Sequence, residues 1–505
     1  MRFFLRLCSV AIVCTAGVAQ APAHHLFFRV TLSPEVKGAQ SGRLLIFLRP
    51  GTGKDSLDAG FMPGESWIAA REIDALKPGE SVDVDGDEIA FPKPLSQAPK
   101  GAYQAEAVLD VNHSYTYGGE GEGDIVSGVA TLPKFDPGSA APIPLTLSKV
   151  DPPKSAPALV DGVSAFHFDS PSLTAFWGRN IQINGYVVLP PSYTGNGNPT
   201  YPTVYWTHGF GGNFRNISRQ ANGFRKMMES KDVPEMIFVL LDESFTSGTI
   251  EFADSVNTGP WGKALTQELI PHLEAQYRMD AKPNGRFLNG HSSGGWTTLW
   301  LQVAYPNVFG GTWSTSPDPS DFHNFTGPDI YQLHANVYRK ANGSPWMLVR
   351  DKGKDIASLQ DFAKQETVVG AYGGQMSSFD WVFSPKSASG APEAMFDRVT
   401  GEVNPAVAKY WADHYDIALK LRHEWPRVGS DLKGKIHLIV GTADTFHLDE
   451  SAHLLEKTLT DLGADAKFTY VPGKTHFDLY EAHGDKQALM KQITKEMYAV
   501  ARPSL

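Results

Sequence analysis

Cysteine is nearly absent from this sequence. Its 505 residues include two cysteines, Cys8 and Cys14, and both lie close to the N-terminus. If that segment is removed during export, no thiol is left to act as a nucleophile, form a disulfide or bind a metal. The sequence therefore excludes a cysteine-based catalytic mechanism in the processed chain.

The segment that holds both cysteines is typical of a secretory signal peptide. A basic start, MRFFLR, precedes a short apolar stretch, LCSVAIVCTAGVA, and small residues follow in AQAPA. The apolar stretch is too short to span a membrane. We expect cleavage after Ala23, which removes residues 1–23. The product would be secreted or periplasmic, with no membrane anchor after cleavage.

Basic clusters are also lacking. The chain carries 45 Lys and Arg against 55 Asp and Glu, a formal net charge of -10. Because a nucleic-acid backbone is bound by clustered Lys and Arg, we expect no nucleic-acid partner. The sequence gives no indication of the oligomeric state.

Two regions of different pattern are present, as the chain length leads us to expect. Residues 24–150 contain strand-like runs separated by Gly, Pro and Asp, such as LLIFLR at 44–49. In YQAEAVLDV at 103–111, apolar residues alternate as in a half-buried strand. These runs predict a small all-β domain, an antiparallel sandwich of immunoglobulin-like type.

A proline-rich linker, residues 151–162, separates this domain from a region of alternating strands and helices, residues 163–505. The run MIFVLLD at 236–242 is apolar almost throughout, as in a parallel strand covered on both faces. The pattern predicts an α/β domain with a mainly parallel sheet. Residues 320–434 are rich in Gly, Ser and aromatics, and we interpret them as an irregular cap or lid insertion.

The pentapeptide Gly290-His291-Ser292-Ser293-Gly294 fits the G-x-S-x-G pattern between a short apolar run and a helical one. In this context the glycines allow a sharp strand-to-helix turn that exposes the central hydroxyl. We predict that Ser292 is a nucleophile and that the backbone N–H of Ser293 contributes to an oxyanion hole. The alternative is a glycine-rich turn whose serines cap a helix.

A second glycine-rich loop, WTHGFGG at 206–212, follows another predicted strand. We predict that it provides the second oxyanion donor, the N–H of Phe210, with Gly209 as the next choice. An ordinary tight turn is the alternative.

A serine hydroxyl needs a base, and the base needs an acid to orient it. Asp444 follows the buried run HLIVG, and His476 follows the next run, FTYVP, so the order is Ser, Asp, His. We predict that Asp444 and His476 complete a triad with Ser292. The rival acids and bases are Asp449, Glu450, His447, His453 and His483.

These segments resemble the putative-esterase (esterase D-like) group of α/β-hydrolases, which includes feruloyl, acetylxylan and enterochelin esterases. The matching pieces include YPTVYWTHGFGG, FLNGHSSGGWTTLWLQVAYPNVFGG, GTADTFHLDESAHLLEKTLTDLG and KTHF. The resemblance spans roughly residues 181–317 and 436–497. It implies a serine esterase with the triad Ser292, Asp444 and His476, and no metal or organic cofactor. The β-rich region and the long insertion depart from the compact members.

The resemblance also suggests a substrate class. Secreted members act on esters of plant polysaccharides, so we expect feruloyl or acetyl esters of carbohydrates, or another small ester. Two alternatives stay open: a binding or adhesion protein with an inactive hydrolase core, and a serine peptidase. For residues 24–150 we favour a packing or spacer role. Glycan binding there would involve aromatics around HSYTYGGEGEGD.

Overall fold

The computed structural model describes residues 24–64, 66–139, 141–194, 199–370, 372 and 374–503. The predicted signal peptide, residues 1–23, lies outside the described residues, and its cleavage stays a prediction. None of the helices in the described ranges is long and apolar enough to cross a membrane.

The region before the predicted linker consists of β-strands joined by turns. Its strands are β1 (Phe27–Leu32), β2 (Gln40–Pro50), β3 (Trp67–Leu76), β4 (Ser81–Asp85), β5 (Ala90–Phe91), β6 (Gly101–Asp110), β7 (Ile125–Val126), β8 (Ala130–Phe135), β9 (Ile143–Leu147) and β10 (Lys149–Val150). One sheet has the order β4–β1–β9, and the other has the order β10–β7–β6–β2–β3–β5, with β8 paired to β6.

The two sheets enclose one hydrophobic core. Side chains such as Phe28 and Val30 of β1 pack with Leu44 and Ile46 of β2 in this core. The predicted two-sheet sandwich is therefore present. The antiparallel prediction is wrong for one pair, because β1 and β9 run parallel. The immunoglobulin-like type stays a prediction.

Strand β6 differs from the half-buried strand that its alternation predicts. From Tyr103 to Asp110 it is buried on both faces. The second face is covered by the loop that precedes β3: Gln104 Oε1 accepts the N–H of Lys54, and Glu106 accepts the N–H of Leu57. Long-range packing, which the local pattern does not record, buries these polar residues.

After residues 151–162, which hold no helix or strand, a mixed sheet begins. Its strands are β11 (Val163–Asp169), β12 (Gln182–Val188), β13 (Thr203–Thr207), β14 (Ile237–Leu241), β19 (Arg286–His291), β20 (Gly311–Thr315), β23 (Ile436–Gly441) and β24 (Ala466–Val471). Short hairpins contain β15 (Ser244–Phe245), β16 (Gly248–Thr249), β17 (Asp254–Ser255), β18 (Gly259–Pro260), β21 (Met347–Asp351) and β22 (Lys354–Ser358).

The order of the large sheet is β11–β12–β14–β13–β19–β20–β23–β24. In this sheet the strands β14, β13, β19, β20, β23 and β24 are parallel to one another. Strand β12 runs antiparallel to both of its neighbours, β11 and β14. The predicted, mainly parallel sheet is thus confirmed. Parallel strands present their carboxyl ends at one edge, which is where ligands bind in such sheets.

Helices cover both faces of this sheet. The helices after residue 170 are α1 (Pro171–Trp177), α2 (Phe214–Glu229), α3 (Trp261–Lys263), α4 (Ile270–Gln276), α5 (Ser293–Ala304), α6 (Leu359–Val369), α7 (Gln375–Phe383), α8 (Pro405–His414), α9 (Ile417–Leu432), α10 (Leu448–Asp461) and α11 (Ala488–Ala501). A π-helical stretch, Ala264–Leu269, joins α3 to α4. Phe238 and Leu240 of β14 face α2 and α11, and Ile237 and Val239 face α4.

Residues 320–434 are more regular than predicted, since they contain α6 to α9 and the β21–β22 hairpin. Their buried aromatics, including Phe379 and Trp411, belong to a core that continues into α5. The ring of Trp296 on α5 lies 4.8 Å from that of Phe383. This segment is therefore packed on the helix that follows Ser292. Its interpretation as a cap or lid insertion stays a prediction.

The N-terminal β region contacts α6 directly. Arg43, with a side chain that is 5% exposed, donates from Nε to the backbone oxygen of Val368 and from Nη2 to that of Thr367, each over 2.8 Å. Gln365 Nε2 donates to the backbone oxygen of Gly60 over 2.8 Å. These bonds fix strand β2 and the loop before β3 against α6.

Candidate active site

Ser292 lies at a sharp turn between β19 and α5. Its backbone angles, φ 61° and ψ −126°, are rare for a residue with a side chain. The surrounding glycines make this turn possible. A Cβ on Gly290 would lie 2.1 Å from the backbone oxygen of Gly294, and one on Gly294 would lie 2.5 Å from that of His208. The tight turn therefore requires glycine at both positions, as the G-x-S-x-G pattern predicts.

The backbone around Ser292 is held on both sides. Its N–H donates to the backbone oxygen of Thr315 over 3.0 Å, and its own oxygen accepts the N–H of Trp296 in α5. Between described residues, the N–H groups of Ser293 and Phe210 donate no hydrogen bond. Both remain available to an acceptor, as oxyanion donors must be.

The loop after β13 passes directly over Ser292. A Cβ on Gly209 would lie 3.0 Å from the Cβ of Ser292 and 3.6 Å from its Oγ. The imidazole of His208 holds this loop, because Nδ1 donates to the backbone oxygen of Gly209 over 2.8 Å while Nε2 accepts the N–H of Glu243. The loop is thus bonded to the turn after the neighbouring strand.

Asp444 and His476 meet beyond the carboxyl ends of β23 and β24. The His476 Nδ1–H donates to Asp444 Oδ2 over 3.0 Å, and the two side chains are 5% and 0% exposed. Burial raises the pKa of Asp444, but the charge and hydrogen bond of His476 and the N–H of Phe446 outweigh it, and the pKa lies below its usual value. Asp444 is therefore ionised when it orients His476.

His291, the residue before Ser292, makes a contact that sequence reasoning missed. Its Nε2–H donates to the backbone oxygen of His476 over 3.0 Å, and the two rings lie 4.4 Å apart. Burial, followed by the charge of His476, lowers the pKa of His291 to about 3. A neutral His291 thus positions the loop that carries His476. The signal for His291 in the sequence was its place inside the G-x-S-x-G motif, but the motif does not specify the residue at that position.

Four of the five rival acids and bases, Asp449, Glu450, His447 and His453, have other partners. Asp449 lies in α10 and pairs with Arg350 Nη2 over 2.6 Å, while His447 Nδ1 lies 3.3 Å from Glu450. His453 is exposed on α10. The cavity that contains Ser292 and His476 is lined by none of them.

Buried carboxyls lie behind Ser292, another feature that the sequence analysis missed. Ser293 Oγ donates to Asp318 Oδ2 over 2.6 Å, and Thr297 Oγ1 lies 2.9 Å from Glu243 Oε2 and 3.2 Å from Glu251 Oε2. Burial raises the pKa of Asp318 to about 6 and that of Glu243 to about 7, and it raises the pKa of Glu251 as well. These three carboxyls behind the N-terminus of α5 are therefore easier to protonate than ordinary Asp and Glu side chains.

Ser292 and His476 line one open cavity of about 480 Å³. Phe210 of the predicted oxyanion loop also lines it, whereas Asp444 and Ser293 lie behind the lining residues. The wall is rich in aromatics: Phe61, Tyr117, Phe210, Phe446, Phe477 and Tyr480. Two of these, Phe61 and Tyr117, come from the N-terminal β region, which therefore forms part of the cavity wall.

Two groups of side chains in the described part of the chain have the spacing of metal ligands. One contains His25, Asp85 and Asp87, and the other contains Asp321, His323 and Asp416. In the second group Asp416 already accepts the N–H groups of Phe322 and Leu419. The cavity at Ser292 is lined by neither group.

The chain matches the family model described as "Putative esterase" over residues 178–494. This is more than half of its length, and the chain belongs to this family. Its mixed sheet with helices on both faces has the α/β-hydrolase fold, with an additional all-β region at the N-terminus. No curated protein matches the chain.

The chain is similar to several solved structures at low sequence identity. A ferulic acid esterase is 13% identical, with a TM-score of 0.41, over 67% of this chain and 98% of that one. A CE1 ferulic acid esterase from Anaeromyces mucronatus is 13% identical, with a TM-score of 0.35, over 69% and 94%. An S-formylglutathione hydrolase from Agrobacterium tumefaciens is 13% identical, with a TM-score of 0.39, over 67% and 96%.

Proposed function

We propose that this protein is a serine esterase that hydrolyses carboxylic esters through an acyl-enzyme on Ser292. The observation that carries the proposal is the arrangement of three side chains. Ser292 and His476 line the same cavity, and the Nδ1–H of His476 is bonded to the buried carboxylate of Asp444 over 3.0 Å. This arrangement suits nucleophilic catalysis by a hydroxyl, because the base lines the same cavity as the nucleophile and is held in one tautomer.

In the acylation step, Ser292 Oγ attacks the ester carbonyl and His476 Nε2 takes its proton. The carboxylate of Asp444 stabilises the imidazolium that forms. His476 then gives the proton to the leaving alcohol, and the acyl group stays on Ser292. In the second half, water attacks the acyl-enzyme with His476 as its base, and the acid is released.

The oxyanion of each tetrahedral intermediate would accept hydrogen bonds from the backbone N–H groups of Phe210 and Ser293. Both donors belong to fixed backbone, so they need no reorganisation when charge develops on the substrate oxygen. Removal of one such donor typically costs about 3–4 kcal/mol of transition-state stabilisation. The N-terminus of α5 adds a favourable dipole at the same point.

For the substrate, we propose feruloyl or acetyl esters of carbohydrates, and for the location, export with removal of residues 1–23. The aromatic wall of the cavity supports a flat, apolar acyl group, because rings such as Phe61 and Phe446 offer faces and edges for stacking. The amino-terminal pattern of the sequence supports export.

The test is a panel of esters and matched amides, assayed with the wild-type protein and the Ser292→Ala variant. We expect hydrolysis of esters, little turnover of amides, and loss of activity in the variant. Efficient amide hydrolysis would favour a peptidase instead. If the folded wild-type protein hydrolyses neither class, the proposal is wrong and a binding role replaces it.

A further inference from the structure

A second cavity adjoins the one that contains Ser292. Its volume is about 440 Å³, and it shares the lining residues Tyr117, Phe210 and Gly212 with the first cavity. The two cavities are therefore neighbours at these residues. We call this second space the distal cavity.

Three segments from different parts of the chain form the distal cavity. They are Ser114–Tyr117 of the N-terminal β region, Phe210–Asn213 of the predicted oxyanion loop, and residues around the β15–β16 turn, Ser244–Thr246 and Gly248. The β region thus lines both cavities, and Tyr117 belongs to both. This position gives residues 24–150 a direct way to influence what binds.

The segment Ser114–Tyr117 is held in place by contacts on both sides. The ring of Tyr117 lies 5.5 Å from that of Phe210 and 4.8 Å from that of Phe61, and the ring of Tyr115 lies 6.1 Å from that of Phe210. Tyr117 also donates its hydroxyl to Gln375 Oε1 over 3.4 Å. A wall tied to its neighbours in this way can select ligands by shape.

The lining of the distal cavity indicates the chemistry of its ligand. It combines aromatic rings (Tyr115, Tyr117, Phe210, Phe245) with hydroxyls and an amide (Ser114, Thr116, Asn213, Ser244, Thr246), and none of these side chains is charged. Within the described part of the chain, the hydroxyls of Ser114 and Thr246 and the Nδ2 group of Asn213 make no hydrogen bond. These groups offer donors and acceptors to a neutral, hydroxyl-rich ligand, whereas an ionic ligand would find no counter-charge.

We propose that the distal cavity is a subsite for a sugar that forms the alcohol part of the ester, with Ser114–Tyr117 of the N-terminal β region as one wall. The proposal rests on the esterase function proposed above. In this arrangement the acyl group occupies the cavity at Ser292, and the sugar extends past Tyr117. Binding of the sugar holds the ester in the correct position, so it raises kcat/KM for sugar esters over that for simple alkyl esters.

The test compares two esters of one acid, methyl ferulate and the ferulate ester of arabinose. Methyl acetate and acetylated xylose serve as a second pair if ferulates are not turned over. Ser114→Trp and Thr246→Trp fill the distal cavity from two exposed positions. Ser139→Trp and Thr52→Trp place the same side chain at exposed positions that line neither cavity. Thermal unfolding verifies that each variant is folded.

We expect the wild type to hydrolyse the sugar ester with kcat/KM about tenfold higher than the methyl ester. The two cavity-filling variants should lose that preference while methyl ester hydrolysis stays within about twofold, and the two controls should behave as the wild type. Equal kcat/KM for both esters in the wild type would overturn the subsite and leave the esterase function standing. So would an equal decrease for both esters in the filled variants. If no ester is hydrolysed at all, both proposals are wrong.

Discussion

His291 donates its Nε2–H to the backbone oxygen of His476 over 3.0 Å, linking the residue before Ser292 to the loop that carries the proposed base. Because a carbonyl can only accept, this bond requires a proton on Nε2. The ring is buried, and its pKa is lowered to about 3. His291 therefore stays neutral over the pH range in which His476 acts as a base.

The low pKa of His291 has a consequence for stability. Its folded value lies below the unfolded value of about 6.5, so its contribution is present above pH 6.5 and is lost as the pH falls toward 3. Below pH 6.5, the stability advantage of the wild type over His291→Gln should shrink by up to about 1.4 kcal/mol per pH unit. Urea unfolding of both proteins from about pH 5 to about pH 8 measures this difference in the free energy of unfolding. A constant difference would mean that His291 does not behave as a buried neutral group.

Asp444→Asn should impair catalysis without unfolding the protein. The amide lacks the negative charge of the carboxylate and does not accept the Nδ1–H in the same geometry. The variant therefore favours the wrong tautomer of His476. We expect kcat to fall about 10³–10⁴-fold with little change in KM. Asp449→Asn, at the rival acid five residues after Asp444, is the control and should keep kcat within about tenfold. Equal losses in the two variants would argue against Asp444 as the acid.

The glycines at the turn can be tested by adding a single carbon. Gly290→Ala places a Cβ 2.1 Å from the backbone oxygen of Gly294, which cannot move without opening the turn. We expect it to cost about 2 kcal/mol or more of stability and to abolish activity. Gly223→Ala in α2, where the Cβ meets nothing within 4 Å, should instead stabilise by about 0.5–1 kcal/mol. A stable, active Gly290→Ala protein would refute the strained turn.

The contact between the N-terminal β region and α6 depends on Arg43. Arg43→Met leaves the backbone oxygens of Thr367 and Val368 without their charged donor at the end of that helix. We expect it to lower the free energy of unfolding by about 2–3 kcal/mol. Arg29→Met, which breaks the exposed pair with Asp83, should barely move the melting temperature. Similar effects in both variants would show that Arg43 does not hold the regions together.

How much of this molecule the sequence could predict depends on how local each feature is. The turn at Ser292 and the loop at Phe210 follow from short glycine patterns, and the positions of Asp444 and His476 follow from the strands before them. Helix α9 escaped detection because Pro426 lies inside it and interrupts the helical pattern.

Contacts between distant segments left no local signal. The burial of Glu106 depends on the N–H of Leu57, and the place of Tyr117 beside Phe210 depends on how the β region packs on the sheet domain. Neither relationship produces a periodicity or a motif. For the same reason, the share of the N-terminal β region in the cavity at Ser292 is visible only in the folded structure.

Fluorophosphonate labelling tests the central claim most directly, because the reagent reacts with a serine hydroxyl that a neighbouring base has activated. The processed protein is labelled, and the modified peptide is located by mass spectrometry, with His476→Ala as the matched variant. The account predicts one adduct, on Ser292, that is lost in the variant. An adduct on Ser293 or no adduct on the folded wild-type protein would contradict it.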